Sequence, residues 1–291
     1  MPLFRPPSEG DHLIVQATLG CGYNQCSFCS MYKGKPYRAR PLDEVFAHME
    51  ALAQAWRGRT DQVRRVFLAD GDAFGLPSAH LLAIATRLRV LFPHLARLSA
   101  YATPLNILKK SDEELARLKA AGLGLLYVGI ESGAAEVLRR VAKGITPDGL
   151  AEALTRARAA GIKLSATVIL GLGGRAFSAR HAAETAALVN RAPPHYLSTL
   201  QLFLQPEAEA GFLGRWDGDF TPLDDDGVLA EQRALLTALA PPAPVIFRSN
   251  HASNCLALAG TLPKDGPRLL AEIAAAQGGR GPLRPAWMRG L

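Results

Sequence analysis

With 291 residues, 48% of them apolar and 20% charged, the chain has the composition of a globular protein with a large core, which argues against a disordered chain and a secreted mini-scaffold. Its net charge of +7 would suit an anionic partner such as a nucleotide or RNA, yet the charges are scattered without a basic run, so a solvated surface accounts for them and RNA is not the favoured partner. No apolar stretch approaches the roughly 20 residues that span a bilayer, and Met1-Pro-Leu-Phe-Arg-Pro-Pro7 lacks the apolar centre of a signal peptide, so a cytoplasmic protein with no membrane partner is expected.

His12–Thr18 is rich in β-formers and reads as a first strand, followed by a Gly/Cys-rich loop that runs to Lys35. Pro41 and Asp43 open a helix with Val45, Met49, Leu52 and Trp56 on one face. Arg65–Ala69 is a second strand that ends at Asp70-Gly71-Asp72, and Pro77 starts a helix carrying Leu81, Ala85 and Leu88. Leu98–Ala102 is a third strand. Ser111 and Glu114 have the spacing of a capping box, and the helix they start stops near Gly122.

Leu125–Ile130 forms the fourth strand, and Thr146-Pro147 begins a helix with Leu150, Leu154 and Ala157 inward and Gly161 as its stop. Lys163–Leu170 is the fifth strand, followed by Gly171-Leu-Gly-Gly174 and a helix over Ser178–Asn190. Tyr196–Leu204 and Asp224–Leu239 supply the sixth strand and its helix. Val245–Asn250 is a candidate seventh strand, and a helix near Pro267–Ala275 precedes a Gly/Arg/Pro-rich tail.

Strands alternating with helices demand a parallel sheet with right-handed crossovers. The expected fold is α/β, a partial (β/α)6 TIM-like barrel over residues 1–240, closed or capped by a short C-terminal extension, 241–291. In such a fold every strand's C-terminal end lies on one rim, and chemistry is expected there.

Cys21-Gly-Tyr-Asn-Gln-Cys26-Ser-Phe-Cys29 is a C-x4-C-x2-C loop directly after the first strand. Three thiolates this close can wrap one corner of a cubane [4Fe–4S] cluster and leave the fourth iron without a protein ligand. A zinc site is the alternative, but it needs a fourth ligand, and Cys255 or His12 would have to arrive from a distance.

The loop and its setting resemble the radical S-adenosylmethionine (SAM) superfamily over roughly residues 12–205, in the branch near oxygen-independent coproporphyrinogen oxidase and the methylthiotransferases. The usual loop there is C-x3-C-x2-C, and this one has an extra residue between its first two cysteines. The resemblance implies a [4Fe–4S] cluster on Cys21, Cys26 and Cys29, with Phe28 beside the adenine of SAM. Asp70-Gly71-Asp72 stands where the family has a Gly-Gly-Glu element for the SAM amino group; alone it reads as a turn. Val128-Gly-Ile-Glu131-Ser132-Gly133 is similar to the family segment that meets the ribose or methionine part of SAM. Lys143, before Gly144, stands where a basic residue pairs with the SAM carboxylate, although a helix C-terminal charge would look the same. Gly171 ends the fifth strand where the family backbone approaches adenine.

On the substrate side, Tyr101 replaces an acidic residue of relatives and is either a substrate contact or a packed tyrosine. Phe247-Arg248-Ser-Asn250-His251-Ala-Ser-Asn254-Cys255 gathers groups that could fix an anionic or carbonyl-bearing substrate, or else forms a turn that hydrogen-bonds itself. Cys255 is expected to be a buried, inert thiol and His195 a loop residue. The resemblance implies an enzyme that cleaves SAM reductively and abstracts hydrogen from a small-molecule substrate, fed by an electron donor such as flavodoxin or ferredoxin. A tRNA-modifying enzyme and a non-catalytic iron–sulfur or haem-handling protein of the same fold are the rival expectations.

Overall fold

The computed structural model describes residues 3–290. After a short 3-10 turn the chain forms β1 (Leu13–Gln16), the two-residue strands β2 (Thr18–Leu19) and β3 (Arg38–Ala39), and α1 (Leu42–Ala55). There follow β4 (Arg65–Ala69), α2 (Ser78–Leu91), β5 (Arg97–Tyr101), α3 (Pro104–Leu108), α4 (Asp112–Ala120) and β6 (Leu123–Glu131). The next elements are α5 (Ala135–Arg140), α6 (Pro147–Ala159), β7 (Lys163–Leu170), α7 (Gly174–Arg191), β8 (Tyr196–Gln201) and α8 (Pro206–Leu213). The last are α9 (Asp225–Ala238), β9 (Val245–Ser249), β10 (Leu258–Leu262) and α10 (Gly266–Gln277). The large sheet is eight-stranded, ordered β1-β4-β5-β6-β7-β8-β9-β10, and mostly parallel, as the strand–helix alternation requires.

The chain divides into two compact units. The first takes in the described residues up to Asn24, Met31–Val128 and Thr155–Leu164. Its core is made by Val15, Val66, Phe67, Leu68, Leu98 and Ala100 of the strands and by Leu81, Ile84, Leu88, Leu115 and Leu118 of α2 and α4, all buried. The capping box that starts α4 is present: Glu114 N donates to Ser111 Oγ at 3.1 Å, and Ser111 N donates to Glu114 Oε2 at 2.8 Å. The expected first strand is broken. Arg40 Nη1 donates to Gln16 O at 2.7 Å and Arg40 N to Ala17 O at 3.2 Å, and beyond that point Thr18–Leu19 leaves the large sheet to pair antiparallel with Arg38–Ala39.

The second unit holds Gln25–Ser30, Gly129–Leu154 and the chain from Ser165 onward. In β7 burial alternates strictly from Leu164: Leu164, Ala166, Val168 and Leu170 are buried, while Ser165, Thr167 and Ile169 are half-buried. One face therefore packs and the other stays partly open. The helix expected from Ser178 begins one turn earlier, at Gly174, whose φ of +58° suits glycine and whose follower Arg175 donates its N–H to Thr221 O at 2.8 Å. Val245–Ser249 is a strand parallel to β8, and β10 pairs with it antiparallel. The strand β10 went unseen because Gly260 at its centre removes the β-former signature.

Candidate functional site

In the first unit the end of β4 meets the start of the cysteine loop. Asp70 is fully buried and ion-paired with Lys35 Nζ, and its Oδ2 also accepts from Gly20 N at 3.2 Å. Asp70 N in turn donates to Thr18 Oγ1 at 3.1 Å. Gly20 has φ +67°, and a Cβ there would meet the carbonyls of Lys35 and Pro36, so glycine is required immediately before Cys21. Asp70, expected to meet SAM, thus has one carboxylate oxygen committed to fixing the loop.

Gly71 lies under the Tyr32 ring, which occupies the place a side chain would take. Tyr32 is itself packed edge-on against Phe4, with ring centroids 5.5 Å apart, and burial together with the Asp70 carboxylate holds its phenol far above its ordinary pKa. Asp72 is 2% exposed and accepts from Asn106 Nδ2 at 2.6 Å and Thr103 N at 3.4 Å. Burial pushes its pKa up to about 6, against the lowering effect of those two hydrogen bonds and of Lys109 and Lys110. A Cβ at Gly22 would come within 3.0 Å of Asp72 Oδ2, so this carboxylate faces the backbone just past Cys21. Tyr101 packs edge-on against Phe67 and Tyr127, at 5.2 and 6.1 Å between centroids, within an aromatic cluster.

In the second unit Cys26 and Cys29 share one turn, with Cys29 N donating to Cys26 O at 3.3 Å, and Ser27 N donates to Val141 O at 3.0 Å. Phe28 is half-buried against a cluster that includes Val137, Val141, Leu172 and Trp216. Glu131 and Lys143, assigned separate contacts by sequence, are paired with each other at 2.8 Å, with side chains 9% and 10% exposed. Burial opposes the charge on Lys143, but Glu131 and then the thiolates of Cys26 and Cys29 outweigh it and its pKa is raised. Gly129 has no room for a Cβ because the Glu131 carboxylate and Lys143 Nζ stand there. Glu131 is a non-glycine residue at φ +60°, a conformation that turns its side chain toward the lysine at the cost of local strain.

Ser132 is fully buried: its Oγ lies 2.8 Å from His181 Nδ1 and accepts from Ala134 N at 2.9 Å. Its hydroxyl, expected to meet SAM, is therefore committed to partners inside the fold. Gly171, at φ +77°, donates its N–H to Glu231 Oε1 at 2.6 Å. Sequence reading missed His181 and Glu231. Both sit at core positions of α7 and α9, and the only signal was a buried-face spacing in which Glu231 stands between Val228 and Leu235.

The 247–255 stretch divides. Asn254 is a structural staple rather than a substrate contact: its Nδ2 donates to Thr199 O and Ser249 Oγ at 2.8 and 2.7 Å, and its Oδ1 accepts from Gln201 N at 2.7 Å. His251 Nδ1 is taken by Ser253, through Oγ at 2.9 Å and N at 3.2 Å. Arg248 and Asn250 are exposed. Arg248 stands in register with Ser198, which is in register with Thr167, so the three form a row across β9, β8 and β7 on the open face.

Fold and loop together define a class: a parallel-sheet α/β enzyme with soft thiolate donors at the end of its first strand. Residues 15–189, more than half of the chain, match the model of the Radical SAM superfamily, and the chain belongs to that superfamily. It is 26% identical over 161 residues to an uncharacterized methyltransferase of Pyrococcus horikoshii, a match that covers 54% of this chain and 32% of that protein. It is 26% identical over 171 residues to the 4'-phospho-dehydrooxetanocin synthase of Priestia megaterium, covering 52% and 22% respectively. The chain thus spans about a third or less of the length of the curated relatives it matches.

Among solved structures it is similar in fold to the radical SAM coproporphyrinogen III oxidase of Escherichia coli, with a TM-score of 0.59 and 22% identity over 78% of this chain and 52% of that one. The radical SAM methyltransferase TsrM of Kitasatospora setae aligns with a TM-score of 0.54 and 24% identity, covering 70% and 38%. These likenesses show the partial-barrel fold. Members of the superfamily bind a [4Fe–4S] cluster and SAM.

The residues present fit those groups. Cys21, Cys26 and Cys29 are all partly exposed, as thiols that are to meet a cluster must be. Among the described residues no three His, Cys, Asp or Glu side chains are gathered as ligands of one ion. In a cubane each thiolate takes its own iron, so its cysteines need not crowd as zinc ligands do. The supplementary zinc ligands are otherwise engaged: burial pushes the Cys255 thiol up, and His12 is bound to Glu9. No described helix is long and apolar enough to cross a membrane.

Proposed function

We propose that Cys21, Cys26 and Cys29 hold the cluster and that SAM lies along the ends of β6 and β7, in an enzyme that abstracts hydrogen from a small-molecule substrate. The observation that carries this reading is the nearly buried Glu131–Lys143 ion pair at 2.8 Å, in the same compact unit as Cys26 and Cys29. Bound to the cluster and given one electron, from a donor such as a flavodoxin or ferredoxin, SAM supplies a 5'-deoxyadenosyl radical that takes a hydrogen atom.

The chain's own residues bind, orient and shield. Asp70 and Lys35 keep the backbone before Cys21 fixed through Gly20 N. Asp72, whose pKa of about 6 leaves it mostly ionised at neutral pH, is an acceptor for an ammonium group. Glu131 offers carboxylate oxygens to vicinal hydroxyls, Lys143 offers a cation to a carboxylate, and the half-buried Phe28 offers an apolar ring face. On the substrate side, Arg248 with Ser198 and Thr167 presents one cation and two hydroxyls, which suits an anionic or carbonyl-bearing molecule; Tyr101 and Asn250 are further candidates.

The test is anaerobic reconstitution with iron and sulfide, iron counting, and an assay for 5'-deoxyadenosine with dithionite and SAM. Four irons per chain and SAM-dependent product are expected, both lost in Cys21→Ala, Cys26→Ala and Cys29→Ala. Zinc in place of iron, or unchanged iron in those variants, overturns the assignment.

A further inference from the structure

We propose that His181 and Glu231 are positioning residues for SAM, holding in fixed relation the two turns at the ends of β6 and β7, Glu131–Gly133 and Gly171–Gly173. This rests on the placement of SAM along those strand ends. Every residue in the chain of contacts belongs to the second compact unit.

Ser132 Oγ already accepts from Ala134 N, so its own proton is available to His181 Nδ1 at 2.8 Å. The imidazole then carries its proton on Nε2, which faces Glu231 Oε1 at 3.7 Å. That same oxygen accepts from Gly171 N at 2.6 Å. One turn along α7 from His181, Thr185 Oγ1 accepts from Gly133 N at 2.8 Å. Two residues of α7 thus grip the β6 turn, and Glu231 of α9 grips the β7 turn.

The arrangement is an expensive way to fill a core. Ser132, His181, Thr185 and Glu231 are 0 to 2% exposed, and Glu231 Oε2 and His181 Nε2 lie buried without a hydrogen-bond partner among the described residues. A partly satisfied buried network costs stability that leucine or methionine would not. Its return is orientation: a charge-assisted bond to the amide of a left-handed glycine holds a turn that an apolar contact would leave to slide. The order Ser–His–Glu is not a nucleophilic site, because Ser132 Oγ is fully buried and already capped.

The experiment compares the wild-type holoenzyme with Glu231→Gln, Glu231→Leu, His181→Asn and His181→Leu. Cluster iron, the KM for SAM and kcat for 5'-deoxyadenosine are measured, with amide exchange at Gly171 followed in the cluster-free protein. Unchanged iron, a KM raised about tenfold in the Leu variants, and faster exchange at Gly171 are expected, since losing a buried charged hydrogen bond is worth roughly that factor. Asn places an amide where Nδ1 stood, so His181→Asn keeps the Ser132 contact and restores part of the KM. A KM within twofold of wild type in the variants that fold overturns the proposal, as does an equal loss of iron and stability in Asn and Leu variants, which marks a purely structural role. A wild type that holds a cluster but shows no response to SAM overturns the placement of SAM itself, and this proposal with it.

Discussion

Replacing Lys143 by methionine tests the second unit's share of the site most sharply. The substitution keeps most of the side chain's length and removes its charge, leaving the Glu131 carboxylate, 9% exposed, without its partner at 2.8 Å. Breaking a buried ion pair from one side costs about 3–5 kcal/mol, and the slight exposure here argues for the lower end, about 3 kcal/mol. Native stability is commonly about 5–15 kcal/mol, so the loss is a large fraction of it, and it lowers Tm by roughly 6–12 °C at the shift per kcal/mol typical of large domains.

Glu131→Gln keeps an amide oxygen for the ammonium group and should cost less, and the double variant should recover part of the loss. Lys143 has a raised pKa, so its contribution is complete below the ordinary lysine value of about 10.4 and fades only as pH rises through the higher folded value. The part of the cost of Lys143→Met that comes from Glu131 is therefore expected to be equal at pH 7 and pH 9. Urea unfolding of the cluster-free variants in a double-mutant cycle measures it. A cost under about 1 kcal/mol, or single-variant effects that add within roughly 0.5 kcal/mol, refutes the coupling.

Two more perturbations address the first unit. Asp72 has a folded pKa of about 6 against an ordinary 3.8, so the native state binds the extra proton between those values and stability falls as pH rises from 4 to 6, by about 3 kcal/mol at most. Asp72→Asn should flatten that decline, and denaturation profiles that remain parallel from pH 4 to 7.5 would remove the burial argument. Gly71→Ala drives a methyl group into the Tyr32 ring and should cost about 1–3 kcal/mol. Adding Tyr32→Ala should make the Gly71 substitution nearly neutral in thermal melts, and a full additional penalty in the Tyr32→Ala background would show that the ring is not the obstacle.

The legible parts of the fold were those with strong periodicity between clear turns. β4 and β7 carry apolar runs closed by Asp70-Gly71 and Gly171, and α4 announces itself with Ser111 and Glu114. The break between β1 and β2 was not legible, because what redirects the chain is Arg40 reaching back to Gln16 and Ala17 across a two-residue ribbon. α3, α5 and α8, at 5, 6 and 8 residues, are too short to display a helical period. At the site, residue type was legible and partnership was not. Glu131 and Lys143 both announce polar chemistry, but only the turn through Glu131 at φ +60° makes them partners. Asn254 looked available for a ligand because the partners that engage it include Thr199 and Gln201 of β8, more than fifty residues away in sequence.

Between Cys21 and Cys26 the chain passes through Asn24 at φ +44°, a conformation that asparagine tolerates better than most residues, and Asn24 Nδ2 donates to Tyr32 O at 2.9 Å. Asn24 is thus a left-handed residue whose side chain ties it back to the residue that covers Gly71. Either end of the loop is fixed within its own unit, Gly20 N to Asp70 and Ser27 N to Val141 O, and neither bond uses a cysteine side chain. The backbone therefore sets where the thiols are offered, and spacing alone is a weaker guide to cluster binding than those anchors.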